Sequence, residues 1–127
     1  MTKLKPGIRI TKKGDLCYIL ENGSRLKRFK PWLADSVSFL YDFIMTNSVI
    51  PKKLDADIQK HYNTLSQQLA GIHGSRILEL GTGSGSAVYF LDHDNHYTGT
   101  DVSPGLLKQA AERFIRSGFP SPEFYIA

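Results

Sequence analysis

One cysteine in 127 residues, Cys17, excludes an internal disulfide and a cysteine-built zinc cage. No apolar run approaches the roughly 18 residues that a membrane span requires. The opening Met1-Thr2-Lys3-Leu4-Lys5-Pro6-Gly7 is not followed by the apolar core of a secretory signal, so a cytoplasmic protein is expected. Repeats and low-complexity tracts are also missing. A hydrophobic share of 41% is enough for a packed core and excludes wholesale disorder.

Charge is present, but unevenly. Residues 1–30 carry nine Lys/Arg against two acids, whereas the other 97 residues carry seven bases and ten acids. A basic N-terminal stretch of this kind is either a solvated face or a surface for nucleic acid, anionic lipid or an acidic partner. It lacks the aromatic and glycine pattern of an RNA-recognition motif.

Leu16-Cys17-Tyr18-Ile19-Leu20 is rich in strand formers and runs into Asn22-Gly23, a strong hairpin signal. The pattern predicts a return strand from Arg25 to Phe29 and a basic ribbon over 8–30, the main part of an N-terminal unit 1–31. Cys17 is expected as a small buried hydrophobe, and Trp32 as an anchor between ribbon and helix. Leu33, Val37, Leu40, Tyr41 and Ile44 then follow helical spacing, ended by Thr46-Asn47-Ser48 and Pro51. Ile58, Tyr62, Leu65 and Leu69 predict a second amphipathic helix that stops near Gly71 or Gly74. These two helices make up a covering segment, 32–75.

From Arg76 the character changes. Ile77 to Leu80 reads as a short buried strand, followed by Gly81-Thr82-Gly83-Ser84-Gly85 and a helix from Ser86 to Leu91. Tyr97 to Thr100 is a second strand. Ser103 is a good N-cap and Pro104 suits the first helical position, with Leu107, Ala111 and Phe114 as the buried face and Gly118 as the stop. Phe124 to Ala127 is a third strand. Strand, helix, strand, helix, strand is an α/β order with a parallel sheet.

A glycine-rich turn between strand and helix lets a ligand lie against backbone, and a helix N-terminus adds N–H donors and positive potential. Asp101, at the end of the next strand, is placed to accept hydrogen bonds from a ribose diol. Both acids have plain structural alternatives. Glu79 would pair with a basic neighbour such as Arg76, and Asp101 would be an acid at a helix start. A dinucleotide site expects glycine at the sixth position of Gly-x-Gly-x-x-Gly, where this chain has Ser86.

Ile77-Leu78-Glu79-Leu80-Gly81-Thr82-Gly83-Ser84-Gly85 resembles motif I of the class I S-adenosylmethionine-dependent methyltransferases, and Tyr97 to Ser103 is similar to that family's second motif. Tyr41-Asp42 and His61-Tyr62 look like the cover of the quinone-biosynthesis type. The resemblance implies a Rossmann-like fold over 76–127 that binds S-adenosyl-L-methionine and releases S-adenosyl-L-homocysteine. Gly81, Thr82 and Gly83 would lie against the methionine and ribose portions, and Ser84 and Gly85 would shape the helix entry. Glu79 would hold the ammonium, Asp101 the ribose hydroxyls, and Val102 would pack on the adenine. The methyl acceptor would be a small molecule, and no residue is assigned as a catalytic base.

The family's sheet has seven strands, of which this chain supplies the first few. The expectation is therefore the N-terminal portion of a longer enzyme, or a homodimer in which a second copy covers the open edge of the last strand. Two other functions compete: an NAD(P)-dependent oxidoreductase, and a non-catalytic module binding nucleic acid or protein through its basic ribbon. Asp92-His93-Asp94-Asn95-His96 has ligand-type side chains, but turn chemistry explains it equally well. His61 is expected either at the cofactor cleft or at an ordinary surface position of its helix.

Overall fold

A computed structural model describes residues 5–21, 40–53 and 57–126. Two N-terminal strands, β1 (Ile8–Lys13) and β2 (Leu16–Glu21), pair antiparallel. Gly14 (φ +63°) leads the two-residue loop between them, the position where such loops require a positive φ. The hairpin therefore turns at Gly14-Asp15, one strand earlier than the Asn22-Gly23 signal suggested. The expected return strand from Arg25 to Phe29, and Trp32, lie outside the described residues.

Three further strands follow: β3 (Arg76–Leu80), β4 (His96–Asp101) and β5 (Glu123–Ile126). The sheet order is β1-β2-β5-β4-β3, with every pairing parallel except the hairpin. The fold class is thus α/β with a five-stranded, mostly parallel sheet. One expectation is corrected here. The last strand has no open edge for a second copy to cover, because β2 occupies it: Leu16 pairs with Phe124 and Tyr18 with Ile126. The ribbon folds back onto the very strand that needed a neighbour.

The sheet has two unlike faces, as the period-2 alternation of strands dictates. Glu79, Gly99, Phe124 and Leu16 fall in one register row and face the helices. The core lies on that side, with Tyr97, Leu107, Ala110, Phe114 and Phe124 at 0–1% exposure. Leu78 and Leu80 point the other way and are 64% and 77% exposed, so β3 is not the fully buried strand its apolar run suggested.

The long helix α3 (Pro104–Arg116) closes the core, and Ser103 caps it by accepting from the Leu106 N–H. Phe114 stacks on Tyr97 at 3.9 Å between ring centroids, with Phe119 and Phe124 against its edges. Upstream, α2 (Ile58–Leu69) starts at Asp57, whose carboxylate accepts from the Gln59 and Lys60 N–H groups. Its partly buried positions include Ile58, Tyr62, Leu65 and Leu69, the stripe seen in the sequence, and none of its residues is fully buried.

Two expected helices are corrected. Ser86 to Leu91 is only a four-residue 3₁₀ turn, Ser86–Tyr89. Val88, Tyr89 and Phe90 are weak helix formers, and the turn formers at 92–95 cut the segment short. Of the first covering helix, Leu33 and Val37 lie outside the described residues; its described part is α1 (Tyr41–Ile44), and Thr46-Asn47-Ser48 do not end it. The chain continues as a π-helical segment, Met45–Lys53, that takes in Pro51. At the change of winding Asn47 donates its side-chain N–H to the Phe43 carbonyl. No helix among the described residues is long and apolar enough to cross a membrane.

Candidate functional site

The glycine loop leaves β3 at the carboxyl end of the sheet. Gly81, Gly83 and Gly85 all have φ between +56° and +86°, a region that an L side chain enters only with strain. Their surroundings differ. A Cβ on Gly81 or Gly83 would meet nothing, whereas one on Gly85 would lie 2.8 Å from the Ala110 backbone. Gly85 is therefore the point where α3 approaches the loop. Gly81 and Gly83 keep an open surface.

The loop spends its own donors. The Gly81 and Thr82 N–H groups both donate to the Thr100 carbonyl at 2.9 Å. The Gly83 N–H donates to Asp101 Oδ2 at 2.8 Å, and the Gly85 N–H to the Thr82 carbonyl. Asp101 Oδ1 in turn accepts from the Ser103 N–H at 2.9 Å. Asp101 thus braces the loop and the entry to α3 together.

In front of the loop is a cavity of about 350 Å³, between the sheet end and the covering segment. Glu79, Gly81, Thr82, Gly83 and Ser84 line one wall; Asp42, Met45, Ile50, His61 and Tyr62 line the other, with Arg113 reaching in from α3. Five of the eight cofactor residues expected from the sequence share this wall. Gly85, Asp101 and Val102 are not in the lining, and Val102 is exposed. His61 is both exposed on α2 and part of the cavity wall.

Glu79 is the central charge. Its carboxylate accepts a hydrogen bond from the Tyr97 hydroxyl, which also contacts Thr82 Oγ1 at 3.3 Å. Tyr97 is itself clamped by Phe114, so the core fixes the acid's orientation. Burial pushes the Glu79 carboxyl above its ordinary range, against the lowering effect of the tyrosine bond. The Tyr97 hydroxyl is raised strongly by the same burial. Arg76 does not pair with Glu79: three residues apart on a strand, they project to opposite faces. Glu79 is a desolvated carboxylate with no cation beside it among the described residues.

The sequence reading missed three participants. Tyr97 was visible only as a strand residue. Arg113 flanks the buried stripe of α3, and a charge beside an apolar stripe was its one available signal. Asp42, noted only as part of the cover, accepts from Ser84 Oγ and pairs with Arg113. Elsewhere, His73 lies 3.4 Å from Asp92 and 3.6 Å from Asp94. No group of three or more His, Cys, Asp or Glu among the described residues is placed to hold a metal ion. Asn95 staples that loop, accepting from the Ser75 N–H and donating to the Ile72 and Asp92 carbonyls. No family model and no curated protein matches the chain.

Proposed function

We propose that this chain is the cofactor-binding portion of an S-adenosylmethionine-dependent methyltransferase with a Rossmann-like domain from residue 76 onward. The observation that carries the reading is electrostatic. The wall around the glycine loop presents acids, and the Gly81, Thr82 and Gly83 N–H groups that would cradle a phosphate are already consumed by Thr100 and Asp101. The element after the loop is a four-residue turn and supplies no helix terminus for an anion. A pyrophosphate therefore finds these three backbone donors spent, and the Arg113 guanidinium already paired with Asp42. A ligand with a sulfonium and an ammonium meets the opposite charge, and Glu79 gains the cation that a buried carboxylate lacks here.

The chain's residues take distinct parts. Glu79, oriented by Tyr97, holds the ammonium. Gly81 and Gly83 give a flat backbone surface for the chain linking sulfur to ribose. Asp101 accepts one N–H on each oxygen, leaving a lone pair on each for the ribose hydroxyls. Tyr62, Met45 and Ile50 on the covering side exclude water. When bound, S-adenosylmethionine supplies an activated methyl whose leaving group is a neutral thioether, so the protein's task is to position it against a small-molecule acceptor.

Neither rival gains a feature of this kind. The spent donors of Gly81, Thr82 and Gly83 count against the dinucleotide reading. For the nucleic-acid reading, Lys12 projects to one sheet face and Arg9 and Lys13 to the other, so the described ribbon has no single basic face.

The test is a calorimetric titration of the chain with S-adenosylmethionine and S-adenosylhomocysteine, beside NADH and a mixed-sequence RNA. Saturable binding of the first two is expected. Asp101→Ala should weaken it about tenfold to a hundredfold, the value of hydrogen bonds to a charged acceptor. Binding of NADH or RNA in their place contradicts the reading.

A further inference from the structure

Asp42 reaches across the cavity to two groups far along the chain. Its Oδ1 accepts from the Ser84 hydroxyl on the glycine loop, and its Oδ2 pairs with the Arg113 guanidinium on α3. Arg113 Nη1 also stands 3.4 Å from Ser84 Oγ. A hydroxyl and a guanidinium, side by side, each hold one oxygen of the same carboxylate. That is the donor set of a carboxylate receptor. In this structure the protein seats its own carboxylate in it.

The segment that carries Asp42 is loosely held. Around Asp42, the apolar side chains of Leu40, Phe43 and Ile44 are all exposed, Phe43 at 69%. The π-helical stretch that follows is irregular and contains a proline. Asp42 and Arg113 remain 39% and 30% exposed, so the pair is half-solvated and readily exchanged. Arg113, Ser84 and Glu79 line the same cavity, which places a cation and an unpaired carboxylate on one ligand-sized space.

We propose that Arg113 and Ser84 form a receptor for the carboxylate of an α-amino acid-type ligand, and that Asp42 fills it until that carboxylate displaces it. The inference rests on the S-adenosylmethionine reading and deepens it: Glu79 selects the ammonium, Arg113 with Ser84 the carboxylate. Displacement of Asp42 frees the covering helix, so ligand entry and movement of the cover are one event. The charges are consistent with exchange. Asp42 and Arg113 cancel, leaving the cavity with the single negative charge of Glu79, while S-adenosylmethionine carries one net positive charge.

The experiment is calorimetric titration of the full chain with three probes: S-adenosylhomocysteine, its decarboxylated analogue, and methylthioadenosine, which lacks the whole amino-acid end. Arg113→Gln is expected to weaken S-adenosylhomocysteine about tenfold or more, leaving the other two probes within about twofold. Asp42→Asn, which keeps shape and removes the competing charge, is expected to tighten S-adenosylhomocysteine severalfold and to leave the decarboxylated analogue unchanged. Methylthioadenosine binding reports that each variant is folded.

Equal loss of all three probes in Arg113→Gln, or weaker S-adenosylhomocysteine binding in Asp42→Asn, overturns the inference and leaves the methyltransferase reading standing. Failure of the wild-type chain to bind any of the three overturns that reading and the inference with it.

Discussion

The two walls of the cavity are built differently. The loop wall rests on β3, β4 and α3, where Tyr97, Phe114 and Phe124 are almost wholly buried and Gly85 packs against the Ala110 backbone. The covering wall, over 40–53 and 58–69, has no fully buried residue among those whose side chains are described. One wall is stabilised by an aromatic core, the other by a half-exposed stripe and one ion pair. The contrast shows a division of labour. On the proposed reading, the groups that position the cofactor, Glu79 and the loop glycines, sit on the rigid side, and the side that would admit and enclose it is held weakly.

The comparison can be broken from the rigid side first. Phe114→Ala should cost about 3–5 kcal/mol, as for a buried phenylalanine, and should release Tyr97 and hence Glu79. Denaturant unfolding measures the loss, and a change below about 1 kcal/mol would mean the aromatic cluster is not the anchor described. A smaller effect of opposite sign is expected at Glu79. Its carboxyl is raised by burial, so the folded chain holds that proton to higher pH than the unfolded one. On this account stability is greatest below the ordinary carboxylate range and falls as pH rises through the raised value. Glu79→Gln should therefore melt slightly higher than wild type at neutral pH, with the gap closing as the pH is lowered from the raised value to the ordinary carboxylate range. Ligand affinity should fall and lose its pH dependence. A variant that melts lower at neutral pH contradicts the assignment of Glu79 as a destabilising, ligand-waiting charge. On the covering side Leu65→Ala should cost about 1 kcal/mol or less, because its site is only half-buried. A loss comparable with that of Phe114→Ala would erase the distinction between the walls.

What could be read from the sequence follows the same division. Ser103-Pro104 and the spacing of Leu107, Ala111 and Phe114 place α3 because capping and amphipathic period are local properties. Asp57 and the stripe from Ile58 to Leu69 do the same for α2. Two failures had local causes: Ser86 to Leu91 was too short and too rich in poor helix formers, and Thr46-Asn47-Ser48 changed the winding instead of ending it. The others were long-range. Nothing near Phe124 in sequence says that Leu16 pairs with it, and nothing near Ser84 says that Asp42 and Arg113 meet there. Gly85 was legible as a glycine, while its reason, the approach of Ala110, exists only in three dimensions. Glu79 stood out in its motif, and its clamp by Tyr97 did not.

The most direct measurement is the amide nuclear magnetic resonance spectrum of the chain titrated with S-adenosylhomocysteine. The account predicts saturable shifts concentrated at Gly81, Gly83, Ser84, Asp101 and Ser103 and along 41–45, where Asp42 is displaced, and none along β1. Absence of shifts in a folded chain, or shifts confined to the β1–β2 hairpin, would contradict it.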